Sequence, residues 1–417
     1  LYVAWSSAWH RRFGLSFVVL SVALSTFLLL AVERVRHDVR DSFSQSVSGT
    51  DLIVGARTGA VQLMLYSVFR IGSATSNIRW SSVQALERNK AVAWVVPISL
   101  GDSHRGFPVV ATTSAYFEHF RHGDRQALVL AEGQPFSAIF DAVLGAEVAK
   151  RLGYRLGERV VLSHGSGEIA GNDHTDKPFK VVGILAPTGT PVDRSVHIGL
   201  TGMEAIHLDW AMGVPLPGMA VPADKAGEQD LTPKTVTAAL VGLKSRAAVF
   251  AVQRRVAEYE AEPLLAVLPG VALDELWAVI GAGERALLAM SGLVAVVSLA
   301  GLMAVIVTGL EQRRRELAVL RSIGAGPGPV FALLITEGAL VTALGALLGV
   351  VACAAAVALL GPLTQMHFGV SLSLGWPTPA EWFLVAAVLL AGTLAGLLPG
   401  WRAYRISLAD GLTPKGS

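Results

Sequence analysis

Four stretches of this chain are long and apolar enough to cross a bilayer, and no other feature limits its architecture as much. They are Phe13–Val32, Ala286–Leu310, Pro329–Leu360 and Glu381–Leu398; roughly 20 predominantly apolar residues suffice for one helical span. The first follows His10, Arg11 and Arg12, as a secretory signal would. It is longer than the roughly 7–15 apolar residues of a signal core, and Glu33, Arg34 and Arg36 stand where a small-x-small cleavage site would be needed. It is therefore read as a span. Only 16% of the residues are charged, against about 25% in soluble proteins, and the deficit lies in these windows.

Charge then orients the chain. Arg11 and Arg12 precede the first span, Arg313, Arg314, Arg315 and Arg321 lie between the second and third, and Arg402, Arg405 and Lys415 follow the fourth. Positively charged connections stay in the cytoplasm, and four crossings put all three on one side. The expected division is a cytoplasmic start (1–12), spans at 13–33, 285–310, 329–360 and 381–399, a cytoplasmic connection at 311–328, a short periplasmic loop at 361–380 and a cytoplasmic tail at 400–417. Residues 34–284 form the large segment left outside. Long translocated domains obey no charge rule, so the basic residues there raise no objection.

The large segment has a different texture. Short runs with β character, DLIVGA, WVVPISL, FPVVATT, ERVVLS, FKVVGIL and SVHIGL, recur between turn residues. DAVLGAEVAKRLG and the amphipathic stretch Arg246–Glu262 read as helices, and Gly165–Lys177 and Val214–Lys234 as loops. The expected fold is a membrane protein of four transmembrane α-helices, with a mixed α+β periplasmic domain inserted between helices 1 and 2. The single cysteine, Cys353, lies in the third apolar window. The outer domain therefore has no disulfide, which suits a bacterial periplasm, where disulfides are allowed but not obligatory.

Within the spans, Ser21 and Ser25, Gly345 and Gly349, and Gly392 and Gly396 have the small-xxx-small spacing that lets helices approach closely. Any one pair reflects equally well the abundance of small residues in membrane helices; the set argues for a compact bundle or dimer. Glu337 lies about two turns from the cytoplasmic end of the third window, where a carboxylate reaches the interface or an arginine, and this structural role is favoured over an ion path.

No GxxxxGK[ST] loop, GxSxG, HExxH or CxxC occurs, so this stretch binds no ATP in the P-loop manner and shows no familiar catalytic centre. Most histidines fall outside the membrane in this topology. His119 and His122, beside Glu118, form one candidate metal-ligand pair; His164, Glu168, Asp173 and His174 form a second group. Neither matches a defined metal-site spacing, and exposed polar histidines are the simpler reading.

The cytoplasmic connection carries more than anchoring charge. Glu311 and Arg315 stand at i,i+4. Leu317, Leu320 and Ile323 make an apolar stripe opposite the arginines, and Gly324, Gly326, Pro327, Gly328 and Pro329 end the helix. Such a helix suits docking into a groove of another protein.

EQRRRELAVLRSIGA followed by ITEGALVTALGALLG resembles the segment joining the second and third spans of the MacB/LolC/FtsX-like ABC transporter permeases, the type VII or mechanotransmission family. LGAEVAKRLGYRLGERVVL and FKVVGIL resemble the family's periplasmic core domain, and LPGWRAYRISLADGL its C-terminal end. The resemblance implies an inner-membrane permease working as a dimer, a homodimer in the first instance, with a cytoplasmic ABC ATPase dimer. It implies no enzymatic activity and no cofactor in this chain, ATP and Mg being bound by the ATPase. It maps the ATPase-coupling interface to Arg313, Arg314, Arg315, Glu316, Leu317, Leu320, Arg321 and Ile323. MacB itself carries a fused ATPase before its first span, so a separate ATPase is expected here. FtsX has a smaller outer loop, bacitracin-type permeases have ten spans, and LolC and LolE match span count and loop size best.

Three function classes follow. One is a transporter subunit moving a lipoprotein, lipid, peptide or small toxic compound from the periplasm or outer leaflet. The second is a non-transporting mechanotransmitter that activates a periplasmic enzyme or scaffold. The third is a metal-linked permease. A periplasmic adaptor, lipoprotein or substrate-binding protein and membrane lipid are the further expected partners, and nucleic acid is not.

Overall fold

The structure is a computed structural model describing residues 12–46, 48–165, 173–211, 214–215, 221–312, 327–368, 372 and 374–405. The chain divides into two compact units, one of apolar helices (1–39, 280–367 and 371–417) and one of mixed α and β structure (40–279 and 368–370).

Among the described residues, four helices are long and apolar enough to cross a membrane, within Arg12–Gln45, Pro269–Gln312, Pro327–Phe368 and Pro379–Arg405. Each extends beyond the apolar run that marks it in the sequence. Their shared core is small: Val18, Val22 and Leu29 meet Leu302, Ile306, Val388 and Ala395. Large apolar side chains such as Phe17, Leu293, Leu347 and Leu390 are exposed, while Ser25, Thr26 and Thr342 are buried. That inversion suits a hydrocarbon surround, which offers apolar side chains what an interior offers and leaves small and polar residues to the helix contacts.

The fourth helix starts with a reciprocal cap. The Glu381 carboxylate accepts from the Thr378 backbone N–H at 2.7 Å, and the Thr378 hydroxyl accepts from the Glu381 N–H at 3.2 Å. Pro379 fills the first helical position, where a missing N–H costs nothing.

The α+β unit is built on a mixed sheet. Its path runs Arg159–Val160, Phe179–Leu185, Asp141–Leu144, Val196–Gly199, Phe107–Thr112, Val92–Ser99, Ala238–Leu243, Leu52–Ala56 and Leu264–Val267. Phe179–Leu185 pairs in parallel with Asp141–Leu144, and Val196–Gly199 with Phe107–Thr112; the other neighbours on this path are antiparallel. Leu52–Ala56 and Asp141–Leu144 are buried along their whole length, and Leu52–Ala56 accordingly reads as an unbroken apolar run. FKVVGIL alternates instead, with Phe179, Val181, Gly183 and Leu185 buried.

Five of the six β-like runs each supply one strand. ERVVLS is divided, Arg159–Val160 pairing with Phe179–Leu185 while Ser163–His164 pairs with Asp102–His104. DAVLGAEVAKRLG is not one helix: Asp141–Leu144 is a strand and only Ala146–Leu152 is helical. Gly145 makes the break possible, because a Cβ there would strike the carbonyl oxygens of Val192 and Asp193. The Arg246–Glu262 stretch is a short 3-10 turn followed by a helix over Val249–Ala257, which buries Val249, Val252 and Val256.

Candidate functional site

The site begins with a tight hairpin. Strands Asp102–His104 and Phe107–Thr112 are joined by Arg105 (φ 48°) and Gly106 (φ 81°), the pair of positive φ values a two-residue turn of this hand requires. On its other side Asp102–His104 pairs with Ser163–His164, in the register that sets His164 directly opposite Asp102. Asp173 bridges back to Ser163, and the His174 N–H donates to the Leu162 carbonyl at 2.8 Å, so His174 arrives beside the same pair. The fourth member, His207, closes the helix Leu200–His207, which follows directly from strand Val196–Gly199.

These elements bring Asp102, His164, His174 and His207 together, with one potential ligand atom from each lying within 4.8 Å of all the others. His164 Nδ1 is 3.1 Å from Asp102 Oδ1 and 3.3 Å from His207 Nε2. His207 Nε2 is 3.6 Å from Asp102 Oδ1, and His174 Nε2 is 3.9 Å from Asp102 Oδ2. The His207 Nδ1–H donates to the Met203 carbonyl at 2.8 Å, which directs the Nε2 lone pair of the neutral ring into the cluster. Both ring nitrogens of His174 and Asp102 Oδ2 are buried without a hydrogen-bond partner among the described residues.

Electrostatics follow the same geometry. Burial works to raise the Asp102 carboxyl, but the hydrogen bond from His164 and the nearby imidazoles of His207 and His174 outweigh it and hold the group at about 2. Burial pushes His174 down to about 4 against the pull of Asp102. His207 feels the same burial, yet the facing Asp102 carboxylate favours its protonated form and leaves it above the usual imidazole value.

A second layer braces the cluster. Lys177, three residues after His174, is fully buried and donates to both carboxylate oxygens of Asp209, at 2.8 and 3.0 Å. Asp209 also accepts from the Val221 N–H at 3.2 Å. The Trp210 ring lies 4.4 Å from that of His174 and 5.9 Å from that of His164. The chain around two of the four side chains is therefore held by a buried ion pair.

Of the histidines singled out in the sequence, His164 and His174 meet, whereas His119 and His122 do not join them. His119 stacks on Trp94 at 5.0 Å, and His122 belongs to the small hairpin Arg121–His122 with Gln126–Ala127. Asp173 turns its carboxylate to the Ser163 hydroxyl, and Glu168 lies outside the described residues. Sequence reasoning missed Asp102 and left His207 ungrouped, because they stand 62 and 43 residues from His164.

In the helical unit, a Cβ on Gly345 would come within 2.7 Å of Val22, and one on Gly349 within 2.6 Å of Thr26 and 2.7 Å of the Ala23 carbonyl. Gly392 faces Thr342, and Gly396 lies 3.7 Å from where a Gly338 Cβ would be. Ser21 accepts at its carbonyl from the Ser298 hydroxyl at 3.1 Å, while Ser25 bonds within its own helix to Val22. Arg313, Arg314, Arg315, Glu316, Leu317, Leu320, Arg321 and Ile323, expected from the sequence to contact the ATPase, lie outside the described residues.

Comparison with known proteins places these units. Residues 15–259 match the MacB-like periplasmic core domain family, and residues 288–408 the FtsX-like permease C-terminal family. The macrolide export ATP-binding/permease protein MacB of Chromobacterium violaceum is 31% identical over 144 residues, 34% of this chain and 22% of that protein. The uncharacterized ABC transporter permease YknZ of Bacillus subtilis is 26% identical over 148 residues, 34% of this chain and 35% of that protein. The matched part is thus a minor share of either relative. Among solved structures, the periplasmic region of MacB from Actinobacillus actinomycetemcomitans aligns over 56% of this chain and 94% of that one, with a TM-score of 0.34 and 11% identity.

Proposed function

The chain belongs to the MacB/FtsX type of ABC transporter permease, and from that premise we propose that it couples ATP hydrolysis in a cytoplasmic ATPase dimer to a conformational change outside the membrane. What supports this is the order of the matched regions, a core-domain match that begins in the first apolar helix and a permease match over the last three. The four apolar helices cross the inner membrane, the α+β unit stands in the periplasm, and a second copy of the chain completes a dimer. The cargo is a lipoprotein, lipid, peptide or small toxic compound taken from the periplasm or outer leaflet.

Force enters through residues 311–328, where Leu317, Leu320 and Ile323 dock on the ATPase and the arginines keep the segment in the cytoplasm. The ATPase moves the permease only by binding its two conformations unequally. The test is co-purification: Leu317→Asp or Leu320→Asp abolishes recovery of an ATPase subunit while the permease stays in the membrane at normal yield. An unchanged yield of ATPase would overturn the assignment.

A further inference from the structure

A polar cluster held together by its own hydrogen bonds matches donors to acceptors, and this one does not. In the neutral ring, with His207 Nδ1–H committed to the Met203 carbonyl, His207 Nε2 turns a lone pair toward Asp102 Oδ1 and His164 Nδ1. His174 is fully buried with both nitrogens unpartnered, and the buried Asp102 Oδ2 has no donor among the described residues. Buried polar atoms are nearly always satisfied, so two orphans that face each other, His174 Nε2 and Asp102 Oδ2 at 3.9 Å, ask for something else between them.

The spacing says what fits. Four ligands about 2.0–2.1 Å from a tetrahedral zinc ion lie about 3.3 Å from one another. His164 Nδ1, His207 Nε2 and Asp102 Oδ1 stand 3.1, 3.3 and 3.6 Å from one another, His174 Nε2 is 3.9 Å from Asp102 Oδ2, and one ligand atom from each of the four lies within 4.8 Å of the others. Three imidazoles and one carboxylate form a nitrogen-rich set that suits zinc-class ions and is poor for Mg2+ or Ca2+, which prefer oxygen. The His207 to Met203 bond is the outer contact that fixes a ligating ring in its tautomer.

We propose that the α+β unit binds one divalent transition-metal ion of the zinc class through Asp102, His164 Nδ1, His174 Nε2 and His207 Nε2. Four protein ligands leave no position open for substrate, so the ion braces and does not catalyse. It ties the Asp102–Thr112 hairpin to strand Ser163–His164 and to the end of helix Leu200–His207. The His164 and His207 side chains are 36% and 25% exposed, so the ion exchanges with the surrounding solution and the brace follows metal supply. This inference does not depend on the permease reading, and ATPase co-purification and metal binding are measured separately.

The experiment uses the full chain in lipid nanodiscs, stripped of metal and titrated with Co2+. One equivalent per chain is expected to give the intense visible bands of four-coordinate Co2+. Zn2+ should abolish them and excess Mg2+ leave them unchanged. Asp102→Asn and His164→Gln each weaken binding by at least the roughly 10–100-fold that loss of an outer partner already causes. His164→Gln alters a partly exposed side chain and keeps a folded variant in the set, checked by its melting without metal. His119→Ala with His122→Ala leaves the bands intact. Absent tetrahedral bands would mean a protonated hydrogen-bonded cluster only. Either that result or bands indifferent to His164→Gln would overturn the proposal.

Discussion

Arg34 Nε lies 2.8 Å from Glu381 Oε1, an ion pair between the first and fourth apolar helices in which the carboxylate side chain is only 4% exposed. The same carboxylate caps the fourth helix through Thr378. Removing the carboxylate of a buried ion pair costs about 3–5 kcal/mol, whereas a lost cap costs about 1 kcal/mol. Glu381→Ala is expected to lower the unfolding midpoint of the detergent-solubilised protein much more than Thr378→Ala. An equal effect would show that the cap, and not the pair, is what matters.

Gly349 lets the third helix lie against Ala23 and Thr26 of the first. A side chain there must displace the Ala23 carbonyl, 2.7 Å from its Cβ, and backbone yields less readily than a flexible side chain. Gly349→Val is therefore expected to destabilise the helical unit by about 1–3 kcal/mol, the usual range for overpacking. Gly301→Ala, with nothing within 4 Å of its Cβ, serves as the tolerated control. Melting curves that do not separate the two variants would remove the close-approach argument.

His197 is fully buried, its ring packed on those of Tyr116 and Phe117 at 5.3 and 6.1 Å. Burial, reinforced by the charge of Arg70, pushes it down to about 3, while burial pushes Tyr116 up to about 12. The folded state keeps His197 neutral while the unfolded chain takes up a proton below about 6.5. Stability from this residue is thus intact above that pH and declines toward about 3. Between pH 7 and pH 5 the loss amounts to about 2 kcal/mol. Denaturant midpoints at the two pH values should differ less in His197→Phe than in the parent; an unchanged difference would contradict the assignment.

Lys177 and Asp209 pair within the interior of the α+β unit, with the lysine side chain fully buried. Lys177→Met removes the lysine from the carboxylate and is expected to cost about 3–5 kcal/mol, while Lys177→Met with Asp209→Leu costs less than the single change. A double variant no better than the single one would mean that the Val221 N–H already satisfies the carboxylate.

Local composition carried much of the architecture. Apolar runs as long as Phe13–Val32 need a helix and a hydrocarbon surround, and FKVVGIL shows its strand by alternation, so both could be read from neighbours along the chain. DAVLGAEVAKRLG misled because most of its residues suit a helix; the strand at Asp141–Leu144 is imposed by partners on both sides, Phe179–Leu185 and Val196–Gly199. Gly145 was the one local sign of the break. His164 and His174 were visible as a pair because they stand in one short tract.

What the amino-acid sequence determined by itself was thus the set of apolar helices, about half the strands of the sheet and half of the histidine cluster, since these depend on residues close in the chain. Tertiary structure decided the rest. Asp102 reaches His164 through a strand register, and His207 reaches both because a helix follows a strand of the same sheet. Neither relationship leaves a spacing in the sequence, because sheet pairing joins segments at whatever separation the connecting loops allow.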